Sequence, residues 1–140
     1  MNTLKSTLIL VLYALSLCFS ACTPVEEPKT ASISGGVFVD VDENGKYSED
    51  EVGQAEMCVR LYQGACGENM LENHTTNEKG EFQFTNLAPG EYCVVTDFEL
   101  LTCGFGGNNP TTSISRKVKL ESGMHAELEW FGFSNLSGDE

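Results

Sequence analysis

The sequence predicts an all-β sandwich, and three observations carry that prediction. Short segments of alternating apolar and polar residues recur along the chain, clusters of Gly, Asn and Pro separate them, and no stretch of the mature region keeps a helical period. At 140 residues with 41% hydrophobic content, the chain can build one modest core, so a single domain of about seven short strands is expected over residues 33–132.

Residues 1–21 read as an export signal. Lys5 is their only charge, the apolar run Leu8 to Leu17 is too short for a membrane span, and Phe19-Ser20-Ala21 precedes Cys22. This tetrapeptide resembles the lipobox of bacterial lipoproteins, with Phe19 in place of the usual leucine, and so implies lipidation of Cys22. Ordinary cleavage after Ala21, leaving a free Cys22 thiol, is the alternative. Removing Cys18 and acylating Cys22 leaves Cys58, Cys66, Cys93 and Cys103, an even set that in an exported chain implies two disulfides. Residues 22–32 then form a lipidated tether, with the proline- and charge-bearing Thr23 to Thr30 extended. The expected location is extracytoplasmic, anchored to a bacterial membrane. Thr23, where an inner-membrane retention signal would carry Asp, favours the outer one.

The first strand is Ile33 to Val39, rich in β-formers, whose glycine pair marks a bulge or a close backbone approach. An acidic loop follows, then a turn at Val52-Gly53-Gln54. Ala55 to Tyr62 alternates, with Met57, Val59 and Leu61 facing the core and Cys58, Arg60 and Tyr62 facing away. Gln63 to Thr76 is a polar connection with Met70-Leu71 as a short edge strand. Asn77 to Gly80 turns the chain into Glu81 to Phe84, where Phe82 and Phe84 point inward. Leu87 to Gly90 turns it again into Glu91 to Thr96, with Tyr92 and Val94 opposite Cys93. Leu101 to Ser113, rich in Gly, Asn and Thr, is expected to be a long exposed loop. Ile114 to Leu120 and His125 to Phe131 are expected to form a final hairpin around Glu121 to Met124. The chain is expected to fray from Gly132, leaving residues 133–140 as a flexible acidic tail.

Acidic residues outnumber basic ones 21 to 8, for a net charge of −13. Nucleic acid is therefore excluded as a partner, because phosphate binding needs a concentration of Lys and Arg that is absent. Cations fit better. Asp40 to Glu51 reads DVDENGKYSEDE, with oxygen-bearing side chains at alternate positions, glycine at the sixth and glutamate at the twelfth. That is the spacing of a calcium loop: carboxylates supply charge, Gly45 permits the sharp turn, and a bidentate Glu51 closes the ring. Strand-like residues precede it and Val52-Gly53 ends it, so it is not a helical EF-hand. The plain alternative is an acidic turn that binds nothing.

The runs ISGGVFVDVDENGKYSEDEVGQAEMCVRLY and TTNEKGEFQFTNLAPGEYCV together resemble the SdrD B-like (B-type) repeat of serine-aspartate-repeat surface adhesins. The resemblance covers Ile33 to Val95 and implies a prealbumin-like (Ig-like) β-sandwich whose acidic loop binds Ca2+ and stiffens the domain. By position it implies Asp40, Asp42, Asn44 and Glu51 as ligands, with the Lys46 carbonyl and Ser48 or a water. If the strands ending at Tyr62 and starting at Glu91 pair antiparallel, as that fold allows, it favours Cys66 with Cys93 and Cys58 with Cys103. Sequence alone leaves all three pairings open. The cysteines lack the CxxC spacing of a zinc site. This chain differs from the adhesins in its single copy, its lipid-type anchor and its extra cysteines.

His74 and His125 are isolated from any nucleophile pattern and are expected at the surface. Phe38, Phe82, Phe84, Tyr92, Trp130 and Phe131 are expected in the core, whereas Phe105 stands in the glycine-rich loop. The function expected from these features is that of a non-catalytic, lipid-anchored, calcium-stabilised module with a structural or adhesive role at the cell surface. The alternative is an accessory binding lipoprotein that presents residues 101–113 to a carbohydrate or protein ligand.

Overall fold

The computed structural model describes residues 29–96 and 109–134. Two β-sheets face one another. Among the described residues nine strands build them: β1 (Ala31–Val39), β2 (Val52–Gly53), β3 (Cys58–Gln63), β4 (Met70–Thr75), β5 (Glu81–Leu87), β6 (Gly90–Thr96), β7 (Ser115–Leu120), β8 (His125–Glu127) and β9 (Phe131–Phe133). The four-stranded sheet runs β4-β3-β6-β7, all antiparallel.

The five-stranded sheet is organised by β1. One edge of β1 pairs antiparallel with β5 and then with β2, and the other pairs in parallel with β8 and then with β9. Four short strands thus complete the ladders of one long strand. The residues of β1 are buried or half-buried throughout, as expected for a strand covered on both edges and packed on one face.

The core lies between the sheets. Ile33 and Val37 of β1, Phe82 and Phe84 of β5, and Phe131 and Phe133 of β9 meet Val59 and Leu61 of β3, Tyr92 and Val94 of β6 and Leu120 of β7. These are the inward positions of period-two segments, and each fully buried aliphatic or Phe side chain is worth roughly 1.5–3 kcal/mol relative to exposure. Of the aromatics expected in the core, Trp130 alone is only half-buried.

Three expectations from the sequence fail, each because β1 demands partners. Val52 and Gly53 are not a free turn: they pair with Val39 and Phe38 as β2. A side chain at Gly53 would collide with the Lys79 carbonyl, so this crossing requires glycine. The segments 114–120 and 125–131 do not form a hairpin. β7 pairs with β6, whereas β8 crosses to the opposite sheet and pairs with β1. The link at Glu121 to Met124 is held by Lys29, whose carbonyl accepts from the Gly123 amide at 2.9 Å and the Ser122 hydroxyl at 3.1 Å. A link this short suits a hairpin or a corner between sheets equally. The edge of β1 decides, since its amides and carbonyls would otherwise be buried without partners. For the same reason the chain does not fray at Gly132, because Phe131, Gly132, Phe133 and Ser134 are all buried.

Gly35 and Gly36 accommodate rings. A side chain at Gly36 would strike the Trp130 indole, and one at Gly35 would meet Phe82 at 2.7 Å. Trp130 occupies the break between β8 and β9, opposite the two glycines that neither strand pairs. The bulge in β1 lies elsewhere, between Ala31 and Ile33.

Candidate metal centre

The acidic loop joins β1 to β2 and starts at a fixed point. The Asp40 amide donates to the Phe133 carbonyl at 2.8 Å, which extends the β1–β9 ladder by one residue, and Asp40 has no exposed surface. Its carboxylate accepts from the Asn44 amide at 3.1 Å through one oxygen and from the Gly45 amide at 2.8 Å through the other. Asp42 accepts from the Asn44 amide at 3.2 Å and from the Asn44 side chain, and Asn44 Oδ1 accepts from the Lys46 amide at 2.7 Å. The chain reverses here through two left-handed residues, Glu43 and Gly45.

Glu51 closes the loop. Its carboxylate accepts from the Val41 amide at 3.2 Å and the Ser48 amide at 2.9 Å, while its own amide donates to the Ser48 carbonyl at 3.1 Å. Asp42, Asn44, Lys46 and Ser48 are exposed, and Glu51 is half-buried.

Asp40, Asp42 and Glu51 each offer a carboxylate oxygen, and these oxygens lie within 4.8 Å of one another. Two oxygens that share one calcium ion at about 2.3–2.6 Å can stand at most about 5 Å apart, so the geometry fits a hard divalent cation. The donors are all oxygens, with no histidine or cysteine in the group, which disfavours zinc and copper. The amide bonds occupy only part of each carboxylate's capacity, since two oxygens provide about four acceptor positions.

Burial acts to raise the pKa of Asp40, but hydrogen bonding outweighs it, and the group lies below the ordinary aspartate value of 3.8. The Thr111 hydroxyl and the Gly45 and Asn44 amides favour the charged form. The two amides stand at hydrogen-bonding distance, whereas the Thr111 hydroxyl is buried and makes no close hydrogen bond. The amides are therefore the firmer donors.

Two features of the site were not evident in the sequence. Tyr47, between two ligand positions, stacks on Trp130 with ring centroids 4.1 Å apart and planes 10° apart, and meets Phe38 edge-on at 5.4 Å. Residues 109–112, expected in an exposed loop, dock on β9: Pro110 bridges to Phe133, the Thr111 amide donates to the Gly132 carbonyl at 2.9 Å, and the Ser134 amide donates to the Asn109 carbonyl at 2.9 Å. Phe131 and Phe133 alternate around Gly132, a local signal for a strand, but no spacing rule links Thr111 to Asp40.

Cys66 and Cys93 form a disulfide with a Cα–Cα distance of 5.2 Å, joining the β3–β4 connection to the outer face of β6. Cys58, buried on the outer side of β3, is disulfide-bonded as well. Cys22, Cys103 and Phe105 lie outside the described residues. His74 and His125 are exposed: Glu72 lies 3.0 Å from His74, and the His125 nitrogens lie 2.8 and 3.2 Å from the Ser32 and Ser34 hydroxyls. Both His125 nitrogens therefore face hydroxyls rather than a carboxylate that would orient a general base. Among the described residues, no helix is long and apolar enough to cross a membrane.

Residues 31–130 match the family model of the SdrD B-like domain, from the first residue of β1 to the Trp130 stack. The chain belongs to the SdrD B-like domain family. A stretch of 63 residues is 38% identical to colossin-A of Dictyostelium discoideum, which covers 45% of this chain and 1% of colossin-A. The fold is similar to that of GBS52, the minor pilin of Streptococcus agalactiae, with a TM-score of 0.54 at 10% identity over 81% of this chain and 48% of the pilin. A streptococcal ancillary pilin is also similar, with a TM-score of 0.51 at 14% identity over 75% of this chain and 32% of that one. At these identities the likeness is one of fold. This SdrD B-like chain therefore spans less than half the length of each of these relatives.

Proposed function

We propose that this SdrD B-like domain is a calcium-stabilised, non-catalytic structural or adhesive module, exported and held at a bacterial membrane by lipidation of Cys22. The convergence of the Asp40, Asp42 and Glu51 oxygens at a loop tied to β1 and β9 carries the metal assignment. Asn44, the Lys46 carbonyl and Ser48 complete the ligand set. Calcium would supply the positive charge that relieves repulsion among the carboxylates, so its binding couples to the order of the loop. The surface role is supported by the export signal and by the pilins that share the sandwich. A pairing of Cys58 with Cys103 would hold the β6–β7 connection against the outer sheet face.

The test is a calorimetric titration with calcium at concentrations up to a few times the roughly 0.1–1 mM dissociation constants typical of extracellular modules. Heat uptake or release, and a rise in melting temperature, are expected for the wild type and not for Asp40→Ala. Absence of both in the wild type would sink the metal assignment. Mass spectrometry of the native N-terminus decides the anchor, since an unmodified Cys22 excludes it.

A further inference from the structure

We infer that this chain associates with a second copy of itself, the lysines of β7 on one copy seating in an acidic cleft on the outer face of the five-stranded sheet of the next. Neither surface includes a residue of the acidic loop, so the contact does not rest on calcium.

β7 is a basic strand in an acidic molecule. Of the eight Lys and Arg residues in a chain of net charge −13, Arg116, Lys117 and Lys119 stand together in this strand. Arg116 is committed within the fold: its guanidinium lies 4.7 Å from the centroid of the Phe131 ring and donates to the carbonyls of Ser113 at 2.6 Å and Ser115 at 3.2 Å. The two lysines are not. Val118 and Leu120 pack on the core, so Lys117 and Lys119 alternate outward and are exposed, about 7 Å apart at the usual strand rise. Glu91 of β6 is the carboxylate beside Lys119, whereas Lys117 sits beside Cys93, which is held in its disulfide. At least one ammonium is therefore left without a local counter-charge.

The other side of the sandwich offers the complement. On the outer face of the five-stranded sheet, Ser34 of β1 lies between Gln83 of β5 and Glu127 of β8, and Glu81 lies opposite Gly36. Phe82, Phe84 and Ala126 take the inward positions of these strands, so Glu81, Gln83 and Glu127 face out and are exposed. A cleft of about 490 Å3 opens over them. Its lining includes both carboxylates, His74, His125 and Trp130 and, among the described residues, no lysine or arginine. The Asn77 side chain steadies Glu81 by donating to its carboxylate at 3.0 Å. Glu81 and Glu127 stand on either side of β1, their Cα atoms roughly 12 Å apart by strand spacing and rise, within the span of two lysines on flexible stems. Complementary charges of this kind select the partner and set the register of a contact. Because the lysines and the cleft lie on opposite faces of the sandwich, no copy can satisfy itself. The contact is head-to-tail, and each copy of a pair keeps one unused surface through which association continues.

The test uses the full chain in detergent at about 0.1 M salt, where a Debye length of about 10 Å screens the general repulsion between acidic molecules but not charges in contact. Equal parts of unlabelled and isotope-labelled wild type are coupled with a carbodiimide, which joins an amine to a carboxylate without a spacer. Mass spectrometry is expected to find mixed-label links from Lys117 or Lys119 to Glu81 or Glu127. Sedimentation equilibrium then compares two double variants, Lys117→Glu with Lys119→Glu and Glu81→Lys with Glu127→Lys. Each alone is expected to associate at least about 10-fold more weakly than wild type, because like charges then meet. An equal mixture of the two is expected to recover association, which misfolding could not produce. A wild type that stays monomeric, or a mixture that does not recover, overturns the contact. Variants that associate as well as wild type overturn it too, and leave the lysines as guards of the β7 edge. Binding of oligolysine in the cleft of a chain that stays monomeric would overturn the second copy as its occupant. None of these outcomes touches the calcium assignment.

Discussion

Asp40 sits at the end of β1 with its backbone in the sheet and its side chain in the loop, so one residue serves two structures. Its depressed pKa has a definite consequence for acid stability. A carboxylate whose folded pKa lies below the ordinary 3.8 contributes stability that is fully present above that value and is lost as pH falls through the lower folded value. In EDTA, Asp40→Asn is therefore expected to be less stable than wild type by a constant margin down to about pH 5, with the margin shrinking below the ordinary aspartate pKa. Urea melts at several pH values measure it, and a margin unchanged down to strongly acid pH would count against the assignment. Asp40 was legible as a candidate ligand because alternate oxygens, a glycine and a closing glutamate obey a spacing rule within one loop. The docking of Thr111 beside that loop was not, because its position depends on β9 lying between it and the loop, which only the folded topology creates.

Among the elements, the link between the acidic loop and the β8–β9 break runs through one ring pair. Trp130 is the sole tryptophan, packed over Gly36 on one side and stacked on Tyr47 of the loop on the other. If calcium orders the loop, as proposed, it alters the surroundings of a single fluorophore. Trp130 emission is expected to change on titration and to saturate at the calcium concentration seen by calorimetry, with the change much reduced in Tyr47→Ala. Binding heat without any emission change would show that loop and stack move independently. The strands carrying two-residue alternation, β3, β5 and β6, could be placed from the sequence because one face of each meets the core. β2 and β9 were missed because two or three residues are too few to carry a period, and β8, expected as a strand, was given the wrong partner. What makes them strands is the ladder of β1, a requirement written in another part of the chain.

For the whole molecule, the all-β sandwich followed from composition and punctuation, and the SdrD B-like family followed from the order of its motifs. The exchange of strands between sheets did not, since a four-residue link reads alike as a hairpin or a corner. One outcome of that exchange is mechanical. β1 and β9 run in parallel side by side, so Ala31 at the start of one and Phe133 at the end of the other lie at opposite poles, roughly 26 Å apart at the usual rise per residue. Tension applied between these points pulls the two strands lengthwise past each other. The β1–β8 and β1–β9 ladders then bear the load together rather than opening bond by bond. The Asp40–Phe133 bond and the metal loop stand at the end where that sliding would begin. Single-molecule pulling on the chain is expected to show one high-force rupture that rises with calcium, whereas gradual low-force opening would mean that the parallel pairing does not carry the load.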